Sequence, residues 1–106
     1  MQIEPYTRIR RNPRVVFRRM RGGEAVLLRL DTAAYHGLNA TGAFIWEQVR
    51  DGITLEELVR ATEAAVDDPP ESLPSEVAGF VADLIERGLL EVGADPGSAA
   101  ERSDAR

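Results

Sequence analysis

The spacing of apolar residues in this chain changes once, at Asn39, and this change constrains the fold more than any other feature. Before Asn39 apolar residues alternate with others, as in a strand whose two faces differ; after it they recur every three or four residues, as on one face of a helix. Strands followed by helices favour an α+β domain over a parallel sheet. A chain of 106 residues suits one such domain with a modest core.

Two strand-forming runs, residues 14–21 and 24–31, flank the pair Gly22-Gly23. Because glycine adopts positive φ without steric cost, this pair predicts a two-residue hairpin turn. The segment AAYHGL, residues 33–38, predicts a third strand that lies at an edge of the sheet. We therefore expect a three-stranded antiparallel sheet.

Three helices are predicted after the sheet. Asn39 has the side chain of a helix N-cap, and Thr54 with Glu57 forms the T-x-x-E pattern of a capping box. Three prolines between residues 69 and 74 predict a loop, after which Ser75–Gly88 is predicted to be the third helix. A small sheet followed by such helices indicates a winged helix-turn-helix-like fold.

The chain divides by composition into three parts. We predict an N-terminal arm over residues 1–13, a folded domain over residues 14–92 and a disordered C-terminal tail over residues 93–106. The tail has no large apolar residue, so burial could not compensate for the entropy lost on ordering it. The short run LLEV, residues 89–92, is expected to be extended and to pack a leucine on the core.

The residue inventory argues against an enzyme. There is no cysteine, and His36 is the single histidine, so neither a thiolate nor a multi-histidine metal site can form. No glycine-rich phosphate loop and no G-x-S-x-G motif is present. We predict no catalytic residue, no cofactor and no metal. No apolar run is long enough to span a membrane and no secretion signal is evident, so a cytoplasmic protein without membrane contact is expected.

The charges are divided unevenly along the chain. Residues 1–23 hold seven arginines and one acidic residue, and the remainder holds six arginines and seventeen acidic residues. A winged-helix DNA-binding protein is one alternative, because its third helix would enter the major groove. That helix here carries Glu76, Asp83 and Glu86 against Arg87, and these acids would repel phosphates. We therefore predict no nucleic-acid partner.

The remaining class is a peptide-binding module. An edge strand offers unpaired main-chain N–H and C=O groups, to which an extended peptide can bind by adding a strand. The small residues Ala33, Ala34 and Gly37 would allow a second backbone to approach closely. The third helix, if it lies beside that edge, would form one wall of the binding groove.

The stretches YHGLNATGAFIWEQVRDGITLEELV (35–59) and VAGFVADLIERGLLEV (77–92) resemble the PqqD-like family, whose members are also called RiPP recognition elements. Three anchors in order carry the resemblance: L-N-x-T followed by I-W, the run Gly52–Leu58, and R-G-L-L at residues 87–90. The resemblance implies a winged-helix-like adaptor that binds the leader segment of a ribosomally made precursor peptide and presents it to processing enzymes.

In that family the leader adds to the third strand and lies against the third helix. The implied leader-binding residues on the strand are Ala33, Ala34, Tyr35 and His36. Those on the helix are Val77, Phe80, Val81 and Leu84 as an apolar wall, with Glu76 and Asp83 as partners for leader cations. Leu38, Asn39, Ile45 and Trp46 are expected to be scaffold residues instead of contact residues.

Freestanding members of this length resemble those of lasso-peptide biosynthesis, which work with a separate leader peptidase and a cyclase. Arg14, Arg18 and Arg19 have no role in leader binding, so we predict that they dock the chain on an acidic partner enzyme. The alternative within the family is a pyrroloquinoline quinone-type precursor carrier for a radical-SAM enzyme. The chain is expected to be a monomer or a weak dimer paired through its edge strand.

Overall fold

The structure is a computed structural model that describes residues 3–50 and 52–93. Within these residues the chain forms two three-stranded antiparallel sheets and three α-helices, which confirms the α+β class. The strands are β1 (Arg8–Arg11), β2 (Val15–Arg19), β3 (Ala25–Arg29), β4 (Tyr35–Leu38), β5 (Ile53–Thr54) and β6 (Leu90–Gly93). The helices are α1 (Ala40–Val49), α2 (Leu55–Ala65) and α3 (Leu73–Glu86).

The predicted sheet is β2–β3–β4, in that order, with β3 in the centre. The hairpin between β2 and β3 has a longer loop than predicted. The Met20 N–H donates to the Glu24 carbonyl (2.7 Å), which leaves the three residues Arg21–Gly23 as a single 3₁₀ turn. Both glycines do adopt positive φ, 82° and 90°, and this supplies the reversal that the glycine pair predicted.

The third strand is two residues shorter than predicted, because Ala33 and Ala34 belong to the turn before it. Ala33 has a φ of 64°, in the left-handed region, and its N–H donates to the Arg29 carbonyl (2.7 Å). The Ala34 N–H donates to the Thr32 hydroxyl (3.3 Å) within the same turn. The regular strand therefore begins at Tyr35.

The second sheet, β5–β1–β6, was not predicted from the sequence. Its central strand reads RIRR, so Ile9 is the single apolar residue of β1, yet that side chain is completely buried. The predicted arm, residues 1–13, thus contains a core strand. Asn12 joins this strand to the rest of the fold, because its amide donates to the Gly88 carbonyl (2.7 Å) and accepts from the Arg14 N–H (2.9 Å).

The two predicted N-terminal caps are confirmed. The Asn39 side chain accepts from the Gly42 N–H (2.8 Å) at the start of α1. At the start of α2 the Thr54 hydroxyl accepts from the Glu57 N–H (3.1 Å), while the Glu57 carboxylate accepts from the Thr54 N–H (3.0 Å). This reciprocal pair satisfies two N–H groups that the helix itself leaves without partners.

The sequence, with a serine at the predicted start of the third helix, favours Ser75 as its N-cap, and this prediction is wrong. The helix begins at Leu73, and Pro74 lies inside its first turn. Proline is tolerated there because the N–H that it lacks would have no partner within the helix, and its fixed φ suits the helical backbone. The helix ends as predicted near Gly88, whose φ of 76° reverses the chain.

The core lies between the helices and the two sheets. Its largest fully buried side chains include Trp46, Leu27, Leu58 and Leu84. Leu89 and Leu90 are both buried, which confirms that the LLEV segment packs on the core. In the described parts of the chain no helix has the length and apolar character required to cross a membrane. The predicted tail lies, from residue 94 onward, outside the described residues.

Candidate functional site

Strand β4 has a neighbour on one side, because it pairs with β3 alone. The Arg29 N–H donates to the Ala34 carbonyl (2.9 Å), and this bond shows which residues of β4 form hydrogen bonds with β3. Antiparallel strands exchange hydrogen bonds through alternate residues. Tyr35 and Gly37 therefore direct their main-chain N–H and C=O groups away from β3, toward the free edge.

No described segment covers this free edge. The N-terminal residues that could have sealed it form β1 in the other sheet, between β5 and β6. Among the described residues, no main-chain or side-chain group outside the strand hydrogen-bonds to Tyr35 or Gly37. The free edge is therefore open to an added strand.

Helix α3 contacts the elements that adjoin the two ends of β4. Near the strand's end, the ring of Phe80 lies so close to Gly42 that a Cβ added there would be 3.0 Å from the Phe80 Cζ. Near the strand's beginning, the Arg29 guanidinium donates to the Arg87 carbonyl (3.0 Å) at the end of α3. These two contacts bracket the strand and hold the helix along it. We call the surface between them the edge groove; we define it by the main chain of Tyr35–Leu38 and the side chains of His36, Glu76, Phe80 and Asp83.

Arg29 also fixes the turn that leads into β4. Its guanidinium donates to both carboxylate oxygens of Asp31, at 3.0 Å and 2.7 Å. These hydrogen bonds hold the pKa of Asp31 below its ordinary value and raise the pKa of Arg29. One side chain thus connects the β3–β4 turn to the C-terminal end of α3, which sets one end of the edge groove.

The predicted apolar wall of α3 is mostly core. Val77, Val81 and Leu84 have exposed fractions of 1%, 0% and 0%, so their side chains offer almost no surface to a guest. Phe80 is the partly exposed apolar side chain of this set and packs against the core at its edge. The amphipathic pattern could not separate these roles, because buried and groove-lining residues recur at the same helical spacing.

The two acids predicted to bind leader cations lie on the outer flank of α3, and each has a partner. The Ser72 hydroxyl donates to the Glu76 carboxylate (2.7 Å). The Arg87 guanidinium donates to the Asp83 carboxylate (3.0 Å), one helical turn away. A cationic guest would therefore have to share or displace these partners. The role of both acids stays a prediction.

The predicted strand residues are divided between the two faces of the sheet. His36 pairs with the fully buried Leu27 and lies half-exposed on the face that is turned toward the helices. Tyr35 pairs with Leu28 on the opposite face, where 77% of its surface is exposed. His36 thus lies on the face that is turned toward the helices, as do Glu76, Phe80 and Asp83 of α3 in the predicted site, whereas the Tyr35 side chain lies on the opposite face.

The edge groove continues into a hollow that the sequence did not indicate as a site. This hollow, of about 250 Å³, lies between the beginning of α1 and α3 and is lined by residues that include Thr41, Gly42, Leu73 and Phe80. Because the sequence predicted a loop at Leu73 and a later start of α3, it did not indicate Leu73 as a residue of the site. The glycine at position 42, one turn into a helix, was the available signal of a close approach.

The three arginines predicted to dock a partner do not share one surface. Because side chains alternate along β2, Arg14 and Arg18 lie on the sheet face away from the helices. Arg19 lies on the other face and forms an ion pair with Glu47 of α1. Within the described residues no group of three or more metal-ligating side chains occurs.

A solved structure and a family model match this chain. The solved structure "TbiB1 in Complex with the TbiA(beta) Leader Peptide" superposes with a TM-score of 0.69 at 32% sequence identity, covering 81% of this chain and 99% of that one. Among curated proteins, none matches the sequence. Residues 24–90, well over half of the chain, match the family described as Coenzyme PQQ synthesis protein D (PqqD). The chain therefore belongs to the PqqD family.

Proposed function

We propose that this chain is a non-catalytic adaptor that binds the leader segment of a ribosomally made precursor peptide. The observation that carries the proposal is the open edge of β4, where Tyr35 and Gly37 direct unpaired main-chain groups toward solvent beside α3. Support comes from the similarity to TbiB1, a structure solved with a leader peptide.

The leader adds as a strand to β4 and fills the edge groove. Its main chain exchanges hydrogen bonds with Tyr35 and Gly37, which contributes affinity that does not depend on the leader sequence. Alternate leader side chains point toward α3, where Phe80 and the hollow beside Gly42 accept an apolar residue. Because the main-chain pairing does not depend on the leader sequence, we propose that this leader side chain is the main determinant of specificity.

The adaptor delivers the bound precursor to a separate leader peptidase of the lasso-peptide type. The reason is chemical: within the described residues the edge groove holds one histidine, two acids that are already paired, and no metal-ligating cluster. In this proposal another protein cleaves the leader, and the adaptor supplies the substrate in an extended conformation.

The test is a pair of fluorescence-polarisation titrations, one with a labelled leader peptide and one with a labelled DNA duplex. Saturable leader binding with weak salt dependence is expected, without duplex binding at physiological salt. Amide hydrogen exchange then locates the guest: the Tyr35 and Gly37 N–H groups become protected on binding, while the Phe17 and Arg19 N–H groups on the other edge of the sheet do not. Duplex binding, or leader binding without protection at β4, would contradict the proposal.

A further inference from the structure

A strand added to β4 presents side chains on both faces of the sheet. Leader residues paired with His36 or Leu38 project toward the helices, as those two side chains do. Leader residues paired with Tyr35 or Gly37 project from the opposite face, because paired residues of neighbouring strands share a face and successive residues alternate. About half of the leader side chains along β4 therefore lie outside the edge groove.

On this opposite face the missing side chain of Gly37 leaves a hollow. A Cβ added at Gly37 would meet no atom of the described residues within 4 Å, whereas Tyr35, two residues earlier on the same face, carries an exposed ring. The hollow has a volume of about 370 Å³, and its lining includes Met20, Glu24 and Val26. We call it the Gly37 hollow. Because Val26 is paired with Gly37, the glycine lies between Val26 and the added strand.

We propose that the Gly37 hollow binds an aromatic side chain of the leader, so that the leader is recognised on both faces of the added strand. The inference rests on the proposed function, because strand addition at β4 is what places a leader side chain at the hollow. The occupant follows from continuity with the free edge. The leader residue that pairs with Gly37 lies directly beside the hollow, and its side chain projects from the same face.

The lining of the hollow favours an aromatic ring over other apolar side chains. An aromatic residue beside a strand glycine covers the exposed main chain and reaches the next strand, which here carries Val26. Met20 is exposed and offers its thioether for a sulfur–aromatic contact. The carboxylate of Glu24, an exposed residue of the lining, suits the positive edge of a ring and repels an acidic side chain.

The same geometry predicts how the aromatic residue is spaced from the residue that Phe80 binds. The two immediate neighbours of the aromatic residue in the leader are paired with His36 and Leu38, so both project toward the helices. The leader side chain that contacts Phe80 projects toward the helices as well. The aromatic residue and the Phe80-binding residue are therefore an odd number of positions apart in the leader.

The test couples one substitution in the protein to one in the leader. Gly37→Val fills the hollow with a side chain that favours strands, and Met20→Ala removes part of its apolar wall. Arg18→Val is the matched control, because it places the same side chain on the same face, opposite Val26 and two strands away from Gly37. Fluorescence polarisation measures the affinity of each variant for a labelled leader peptide and for versions of it in which single residues are replaced by alanine. Thermal melting identifies any variant that does not fold.

The second readout locates the leader residues in space. The chain has no cysteine, so Met20→Cys and Glu76→Cys each introduce one thiol, on opposite faces of the added strand. Each variant is mixed with leader peptides that carry one cysteine at successive positions. Disulfide formation with Met20→Cys is expected at the position of the aromatic residue. Disulfide formation with Glu76→Cys is expected at positions an odd number of residues away.

Replacement of the aromatic leader residue by alanine is expected to lower affinity for the wild-type chain about tenfold. Gly37→Val should lower affinity for the unmodified leader about tenfold and Met20→Ala about threefold, and each should change affinity for the alanine peptide less than about twofold. Arg18→Val should change neither affinity by more than about twofold. If Gly37→Val does not fold, Met20→Ala decides the result.

Three results would overturn the inference. The first is leader binding that no replacement of an aromatic residue by alanine weakens. The second is an equal loss for the unmodified and the alanine peptide in the hollow variants, and the third is disulfide formation with Met20→Cys and Glu76→Cys at the same leader position. Failure of the wild-type chain to bind leader would refute the proposed function instead.

Discussion

The two edges of sheet β2–β3–β4 have the same backbone chemistry but different surroundings. At β2 the Met20 N–H donates to the Glu24 carbonyl. Because alternate residues of an antiparallel strand form the hydrogen bonds, the main-chain groups of Val15, Phe17 and Arg19 point away from β3. The Val15 N–H is already used, because it donates to the Asn12 carbonyl (3.1 Å). At β4 the corresponding groups of Tyr35 and Gly37 have no such partner among the described residues.

The two edges of the sheet also differ in the charge of their side chains. The β2 edge ends in Arg18 and Arg19, and Arg19 is held against α1 by Glu47. Arginines on an edge strand oppose the addition of another strand, because the incoming chain must displace hydrated charges. The β4 edge reads YHGL and contains no arginine, lysine, aspartate or glutamate. The side chains therefore distinguish the two edges of the sheet. We call the β2 edge the protected edge and the β4 edge the accepting edge.

The largest effect is expected when the accepting edge loses a donor. Proline at position 37 removes an N–H that points away from β3, so the β3–β4 ladder is kept while a leader carbonyl loses its partner. Leaving a buried acceptor unpaired costs about 1–3 kcal/mol, which corresponds to about a 5- to 150-fold loss of leader affinity. Fluorescence polarisation of Gly37→Pro measures this loss.

Two controls give that result its meaning. Gly37→Ala keeps the N–H and places a methyl group where no atom lies within 4 Å, so leader affinity should stay within about threefold of wild type. Arg19→Pro also removes an outward-pointing N–H, at the other edge, together with the Arg19–Glu47 ion pair, and should leave leader affinity unaltered in a folded variant. Equal losses in Gly37→Pro and Arg19→Pro would contradict the distinction between the edges.

The next effect concerns the helix wall beside β4. Alanine at position 42 would bring its Cβ to 3.0 Å and 3.2 Å from two ring atoms of Phe80, so the ring must move. We expect leader affinity to fall several-fold because the hollow beside the ring changes shape. Stability should change little, because alanine favours a helix over glycine by about 1 kcal/mol and this offsets the steric strain.

Gly79→Ala is the matched control for this prediction. Gly79 lies on the same helix, one residue from Phe80, and an added Cβ there meets no atom within 4 Å. The substitution should therefore stabilise the domain by about 1 kcal/mol in a urea titration and leave leader binding unchanged. A loss of leader affinity in Gly79→Ala would place the guest on a different face of α3.

The sequence predicted those parts of the fold that depend on local chemistry. Asn39, Thr54 and Glu57 form the expected caps because capping involves neighbours within one turn. Strand β1 was missed because its only apolar residue is Ile9, and its pairing partners β5 and β6 are distant in sequence. Long-range pairing of so polar a strand leaves no local pattern to detect.

The candidate site shows the same division. That β4 is an edge strand followed from the order of strands, and its position beside α3 followed from the family resemblance. The pattern could not state that Val81 and Leu84 are wholly buried while Phe80 is partly exposed. Nor could it separate Arg19 from Arg18, since the pairing of Arg19 with Glu47 depends on how α1 packs beside β2.

A smaller effect is expected when the protected edge loses its charges. The double variant Arg18→Thr/Arg19→Thr replaces two arginines of β2 by a residue that favours strands. We expect weak, concentration-dependent self-association, measured by sedimentation velocity, because the β2 edge then accepts a second copy. Excess leader should not dissociate these dimers, since it occupies β4. Dissociation by leader would show that association proceeds through β4 instead.

The smallest effect concerns Asp31, which holds the Arg29 guanidinium at the turn into β4. The hydrogen bonds from Arg29 lower the pKa of Asp31, so the folded state binds its proton less tightly than the unfolded chain, in which an aspartate has a pKa of about 3.9. The stabilisation is therefore present above that unfolded value and is lost as the pH falls through the lower, folded value. In urea titrations the difference in unfolding free energy between wild type and Asp31→Asn should be largest at neutral pH and should shrink on acidification.

Leader affinity should fall slightly in Asp31→Asn, because Arg29 also contacts the Arg87 carbonyl at the end of α3. The control is Glu91→Gln, which removes the ion pair with Arg10 in the other sheet and should leave leader affinity unchanged. If the difference in unfolding free energy between wild type and Asp31→Asn grew as the pH fell, Asp31 would not stabilise the fold through its charged form. The position of the α3 end beside the accepting edge would then depend on packing alone.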